Sequence, residues 1–193
     1  MKKTQVFNSN YKFLALAFCI VLLMGCNQKK PLEVAGKMEV FKERTQTNDC
    51  KSQVYFFLQP DCPLSQNYTL PLADLARSER FQDFCFTAFF SGKLYQREEF
   101  EAFILHYETP YQIKLDPDLE MANALGATVV PEAFVVSPQG EILYQGAIDD
   151  WAVREGGKGR KAKTNYLEMA LLAVSENREP EISKTKAVGC ILE

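Results

Sequence analysis

The sequence predicts an α/β protein: a central mixed β-sheet with helices on both faces. Short apolar runs rich in aromatic and β-branched residues alternate with segments whose apolar residues recur at helical spacing. The order is strand, helix, strand, helix, then a hairpin and a last helix, which suits a sheet covered on both sides.

Val54-Tyr55-Phe56-Phe57-Leu58 is short and aromatic and ends at a Pro60-Asp61 turn, so it reads as a buried strand. The next segment reads as a helix to about residue 78, with Cys62 in its first turn and Pro71 as a kink. Pro63 suits the first helical position, where no backbone N–H is needed. Phe84-Cys85-Phe86-Thr87-Ala88-Phe89-Phe90 is a second buried strand. Phe100, Phe103, Ile104 and Tyr107 then mark an amphipathic helix.

Residues 111–115 form a short strand, and Asp116-Pro117 caps a helix that Gly126 stops, with Leu119, Ala122 and Leu125 on one side. Residues 133–137 and 141–145 flank Pro138-Gln139-Gly140 and read as a β-hairpin. A loop rich in glycine and basic residues spans 154–163. Thr164 or Asn165 caps a last helix that turns Leu167, Leu171 and Val174 inward. The tail ends in Lys186-Ala187-Val188-Gly189-Cys190-Ile191, and no internal repeat is present.

Lys2, Lys3 and Lys12 precede an apolar stretch at 13–24 and then Gly25-Cys26, the pattern of a bacterial export signal. The stretch is shorter than the roughly 20 apolar residues that span a bilayer. Leu23-Met24-Gly25-Cys26 resembles the lipobox of bacterial lipoproteins, which implies cleavage before Cys26 and acylation of its thiol; the alternative is an ordinary secretory signal. The expected organisation is a signal at 1–25, a polar tether at 26–48, a folded domain at 49–178 and a tail at 179–193. Such a protein is anchored by lipid to a bacterial cell membrane and faces the periplasm. A net charge of −3 with mixed acids and bases offers no broad cationic surface, so no nucleic-acid partner is expected. Export places Cys50, Cys62, Cys85 and Cys190 where disulfides persist, with three pairings open.

Cys62 is the residue of greatest chemical interest. A thiol at a helix start feels the positive end of the dipole and free N–H groups, which favour the nucleophilic thiolate. The alternative is a buried structural cysteine.

The strand leading into Cys62-Pro63-Leu64-Ser65, the segment Val129-Val130-Pro131-Glu132-Ala133-Phe134 and the glycine-turned hairpin resemble the thioredoxin-like redoxin family over residues 50–177. Within it they are most similar to the exported alkyl hydroperoxide reductase/thiol-specific antioxidant and TlpA-like branch. The resemblance implies the thioredoxin-like fold and a cis bond at Val130-Pro131 that faces the thiol. It leaves backbone beside the proline to pair with an extended substrate peptide. A trans proline opening an edge strand is the alternative.

This chain departs from the family's Cys-x-x-Cys at Ser65. A Cys-Pro-Leu-Ser site can form a mixed disulfide and has no neighbouring thiol to resolve it. Ser65 either hydrogen-bonds the thiolate or is a plain helix residue. The tail also resembles a subset of these redoxins, which implies Cys190 as the resolving thiol, with Gly189 permitting a tight bend. Cys50 and Cys85 would then form a structural bridge if their strands are parallel neighbours. Asp149 and Asp150, another likeness to that subset, either move protons near the thiol or bond loop backbone. The basic run at 154–163 binds an anion or lipid headgroups, or is a solvated loop; His106 is a surface residue.

These readings converge on a membrane-tethered thiol-disulfide oxidoreductase with no cofactor and no metal. Its expected partners are a protein or small-molecule disulfide substrate, an external thiol reductant and the membrane. One alternative is a peroxiredoxin-like thiol peroxidase, although Gln59-Pro60-Asp61 stands where that family has Thr and Pro, and Arg77 is its candidate arginine. The other is a copper-binding chaperone. Soft thiolates suit Cu(I), but Ser65 replaces one ligand and His106 is the chain's single histidine.

Overall fold

The computed structural model describes residues 50–92, 97–154, 157–158 and 162–192. The expected export signal, Cys26 and the tether lie outside the described residues, as does part of the basic loop.

The chain begins with β1 (Ser52–Leu58), α1 (Pro63–Arg77), a 3-10 turn (Glu79–Phe81) and β2 (Phe84–Ser91). Next come α2 (Arg97–Tyr107), β3 (Gln112–Asp116), α3 (Glu120–Leu125), β4 (Val129–Val130), β5 (Glu132–Val136) and β6 (Ile142–Gly146). The last elements are β7 (Ala152–Arg154), β8 (Gly157–Lys158), α4 (Tyr166–Ser175) and β9 (Cys190–Ile191). The main sheet has the order β3-β2-β1-β5-β6. Strands β1, β2 and β3 run parallel, while β5 is antiparallel to both β1 and β6.

Strand β1 is central and buried along its whole length, which is why it reads as an unbroken apolar run rather than an alternating one. Val54, Phe56 and Leu58 face one core, closed by Tyr68 and Leu72 of α1, Phe103 of α2, and Leu167 and Leu171 of α4. Tyr55 and Phe57 face the other, closed by Met121, Ala122 and Leu125 of α3 together with Val130 and Phe134. Each large side chain buried this way contributes about 1.5–3 kcal/mol. Cys62 belongs to the second core.

Helix α3 starts later than its Asp-Pro signal suggests. Leu119 takes a left-handed conformation before the helix begins at Glu120. Asp116 still caps it from a distance: the carboxylate, 5% exposed, accepts from Met121 N–H and Ala122 N–H, each at 3.1 Å, and from the Ser91 hydroxyl at 2.9 Å. Gly126, at φ 76°, ends the helix. For α4 the cap position is Asn165, whose Nδ2 donates to Glu168 Oε2 at 3.2 Å.

Cys50 and Cys85 form a disulfide with Cα atoms 5.7 Å apart. Their strands are parallel neighbours, so both residues lie at the same end of the sheet. Cys62 lies beyond the opposite end of β1. Seven strand residues separate the two chemistries by about 20 Å.

Candidate active site

Cys62 is the residue on which α1 begins. Its N–H donates to Gln59 O at 3.2 Å, which closes the turn after β1, and its carbonyl accepts from Gln66 N–H at 3.0 Å, which opens the helix. Pro63 follows at the first helical position. The side chain is 2% exposed, and as a thiol it donates to Val130 O at 3.6 Å. The bond between Val130 and Pro131 is cis.

Several donors converge on the sulfur. Burial is the largest influence on Cys62 and pushes the thiol up. Hydrogen bonds from the Cys190 side chain, from Ser65 through both backbone and hydroxyl, and from Leu64 N–H outweigh it. Together they hold Cys62 below the ordinary thiol value. This is the helix-start geometry that favours a thiolate.

Ser65 acts on two partners. It is fully buried, and its Oγ accepts from Gln59 N–H at 3.1 Å, which leaves the hydroxyl proton to point at Cys62. The hydroxyl therefore ties the end of β1 to the thiol. Gln59 is buried as well, and its Nε2 donates to Ser91 O at 3.3 Å.

Cys190 reaches the site along a strand. Strand β9 pairs antiparallel with β4, placing Cys190 opposite Val130 and Ile191 opposite Val129. Leu192 N–H extends the pairing to Thr128 O at 3.1 Å. The chain bends at Gly189, and the missing side chain has a second use there: a Cβ would overlap the Val130 carbonyl. Cys62 and Cys190 are both thiols in the structure.

Glu132, next to the cis proline, is a feature that sequence reasoning left without a role. Its carboxylate is 5% exposed and accepts from Thr128 N–H at 3.1 Å and from Gln145 Nε2 at 3.4 Å. The first bond staples the chain before β4 to the chain after the cis bond, and so holds the edge that Cys190 joins.

Asp149 and Asp150 bond the loop and its surroundings. Asp149 Oδ1 accepts from the Tyr68 hydroxyl and from Trp151 N–H at 2.8 Å, while the Tyr68 and Trp151 rings meet edge-on with centroids 5.6 Å apart. Burial, with Asp149 adding to it, keeps the Tyr68 phenol protonated. Asp150 Oδ1 accepts from Lys163 N–H at 2.7 Å and Thr164 N–H at 3.1 Å, bonds that hold its carboxyl below the usual range.

Arg77 lies at the other end of α1 from Cys62. Fifteen helical residues at about 1.5 Å each put it about 22 Å away, where it donates to Glu108 O at 3.0 Å. It is out of reach of an oxidant on Cys62. His106 is exposed on α2 and meets Tyr107 edge-on. Among the described residues no cluster of three or more His, Cys, Asp or Glu side chains could hold a metal ion.

No family model and no curated protein matches the chain. Among solved structures it is similar to a hypothetical protein from Sinorhizobium meliloti 1021, at 21% identity, a TM-score of 0.67, and coverage of 80% of this chain and 82% of that one. An uncharacterized conserved protein from Geobacillus kaustophilus is similar at 21% identity, a TM-score of 0.64, and coverage of 76% and 80%. A secreted disulfide oxidoreductase from Mycobacterium tuberculosis aligns at 16% identity over 48% of this chain and 66% of its own, with a TM-score of 0.42. What the first two share with this chain is the fold. With the strand order β3-β2-β1-β5-β6, a thiol at the start of α1 and a cis proline opposite it, that fold is thioredoxin-like.

Proposed function

We propose that the chain is a thiol-disulfide oxidoreductase that works through Cys62 and is resolved by Cys190. The observation that carries this reading is the convergence of two thiols on one cis-proline peptide: Cys62 bonds Val130 O, and Cys190 pairs with Val130 in the facing strand. The donors around Cys62 favour the thiolate that attack requires.

The exchange runs in two displacements. The Cys62 thiolate attacks one sulfur of a substrate disulfide, forming a mixed disulfide and releasing the other substrate sulfur as a thiolate that takes up a proton. The Cys190 thiolate then attacks the Cys62 sulfur, which releases the second substrate thiol and leaves a Cys62–Cys190 disulfide. The substrate has gained two electrons and two protons. An external dithiol reductant returns them to the protein in the same two steps. Cys190 thus does what the second cysteine of a Cys-x-x-Cys site does, from the tail instead of the helix.

In this reading Cys26 carries a lipid anchor, residues 26–48 span the gap to the domain, and the reaction takes place at a bacterial membrane on the periplasmic side. Cys26→Ser should release the protein from membrane fractions and abolish lipid labelling. Normal labelling of that variant contradicts the anchor.

Reduction of a protein disulfide such as those of insulin, coupled to a dithiol, tests the activity. Turnover that is lost in Cys62→Ser, alongside weak consumption of hydrogen peroxide, is expected. Rapid peroxide consumption abolished by the same substitution points to a peroxidase.

A further inference from the structure

The backbone edge that faces Cys62 is already filled by the chain itself. The tail is attached at two places. Upstream, Gln145 N–H donates to Ser183 O and Thr185 N–H to Gln145 O, each at 2.9 Å, and Thr185 Oγ1 accepts from Ala147 N–H at 2.9 Å. Gly146 permits this contact, since a Cβ there would overlap Thr185. Downstream, residues 190–192 pair with 128–130. Between the two, residues 186–188 lie outside any strand.

Cys62 is 2% exposed beneath the downstream attachment. A sulfur that attacks along the axis of an external disulfide needs open approach, so the docked tail and a docked client exclude one another. The tail strand also shows what the edge accepts. For a cysteine to lie opposite Val130, the residue before it must pass over the Val130 carbonyl, where a Cβ has no room.

We infer that residues 189–192 are a resident stand-in for the client. The 128–130 edge binds an extended peptide strand whose cysteine lies opposite Val130 and is preceded by glycine, and such a client reaches Cys62 by displacing the tail. This rests on the oxidoreductase reading above. The segment at 186–188 is the hinge, the attachment at 183–185 keeps the displaced tail close, and the few exchangeable hydrogen bonds of a two-residue strand are what a client replaces with its own. Cys190 returns with the tail to resolve the mixed disulfide, which expels the client from the edge.

The test uses the full-length reduced protein carrying Cys190→Ser and has two arms. The first follows alkylation of Cys62 by iodoacetamide, resolved by peptide mass mapping. Adding Gly189→Val, or instead Leu192→Pro, which removes the N–H that bonds Thr128, should speed alkylation at least about tenfold while the melting transition is retained. Two dissimilar substitutions keep the arm readable if one of them misfolds. The second arm uses the peptide Thr-Lys-Ala-Val-Gly-Cys-Ile-Leu with its cysteine as a mixed disulfide to thionitrobenzoate, and its analogue with valine in place of glycine. Attack by Cys62 on the peptide sulfur releases coloured thionitrobenzoate. The glycine peptide should react at least about tenfold faster, since only it fits the edge. Alkylation rates that stay flat across the variants, or two peptides that both react and do so within about twofold of each other, overturn the inference. Alkylation needs no disulfide exchange, so turnover of insulin by the wild-type protein with a flat alkylation pattern in the variants sinks the displacement alone. Failure of the wild-type protein to turn over insulin and of both peptides to react, with fast alkylation in the variants, sinks the oxidoreductase reading instead.

Discussion

Cys190 stands opposite Val130, and the carbonyl of that same Val130 accepts from the Cys62 thiol at 3.6 Å. One peptide unit, fixed by the cis bond to Pro131 and stapled by Glu132, therefore sets the positions of both thiols. A redox pair is usually made by two residues on one helix turn. In the proposed exchange one thiol comes from the helix and the other from a strand, so opening the pair would move the tail and leave α1 in place.

Ser65→Ala should raise the Cys62 pKa. The hydroxyl donates to the sulfur, and losing that bond disfavours the thiolate. The pH profile of Cys62 alkylation, measured with Cys190→Ser present, should move to higher pH. The same substitution leaves Gln59 N–H without its acceptor inside the protein, at a cost of about 1–3 kcal/mol. A superimposable pH profile would leave Ser65 a purely structural residue.

The sign of the Cys62 shift also fixes how stability depends on pH. The folded value is below the ordinary 9.0, so folding favours the thiolate. This stabilisation is fully present above the ordinary value and is lost as pH falls through the depressed one. Denaturant midpoints of the reduced protein should rise with pH across that window relative to Cys62→Ser. Parallel curves for the two proteins contradict the shift.

Replacing Cys50 and Cys85 with serine should destabilise the fold and leave the thiol chemistry alone. Closing a loop of 35 residues is worth about 4 kcal/mol by chain entropy. The bridge lies about 20 Å from Cys62 along β1. Chemical denaturation should show the loss, and alkylation of Cys62 should be unchanged. A changed alkylation rate would mean that the two ends of the sheet are coupled.

The features that were legible in the sequence share one property: they are local. β1 could be read because burial on both faces writes a continuous apolar run, and Cys62 because a turn and Pro63 mark the helix start beside it. The pairing of β4 with β9 could not be read as a strand pair, since two residues carry no period and their partners lie about 60 positions apart in sequence. Gln59 and Glu132 look like ordinary polar residues until the fold brings Ser91, Thr128 and Gln145 to them. Asp116-Pro117 looks in sequence like a cap for α3, but the turn at Leu119 moves the helix start, so only the Asp116 side chain reaches the helix. Gly189 marks a bend in sequence; that the Val130 carbonyl needs the space is a tertiary fact.

Ser65→Cys should rescue a protein that lacks Cys190. Residues three apart at a helix start lie within disulfide reach, so the added thiol can resolve the mixed disulfide locally. Turnover of a protein disulfide should fall in Cys190→Ser and return when Ser65→Cys is added. No recovery would show that this end of α1 does not hold the two sulfurs in bonding geometry.

The proposed roles, attack by Cys62 and resolution by Cys190, are separated by a single-turnover reaction of the reduced protein with a model disulfide. Intact mass and peptide mapping identify where the sulfur bonds end. The wild-type protein should finish with a Cys62–Cys190 disulfide and release both halves of the substrate as thiols. Cys190→Ser should stall as a mixed disulfide on Cys62 with only one half released, and Cys50–Cys85 should be unchanged in both. A Cys190→Ser protein that releases both halves at the wild-type rate, or an adduct on Cys190 in place of Cys62, contradicts the account.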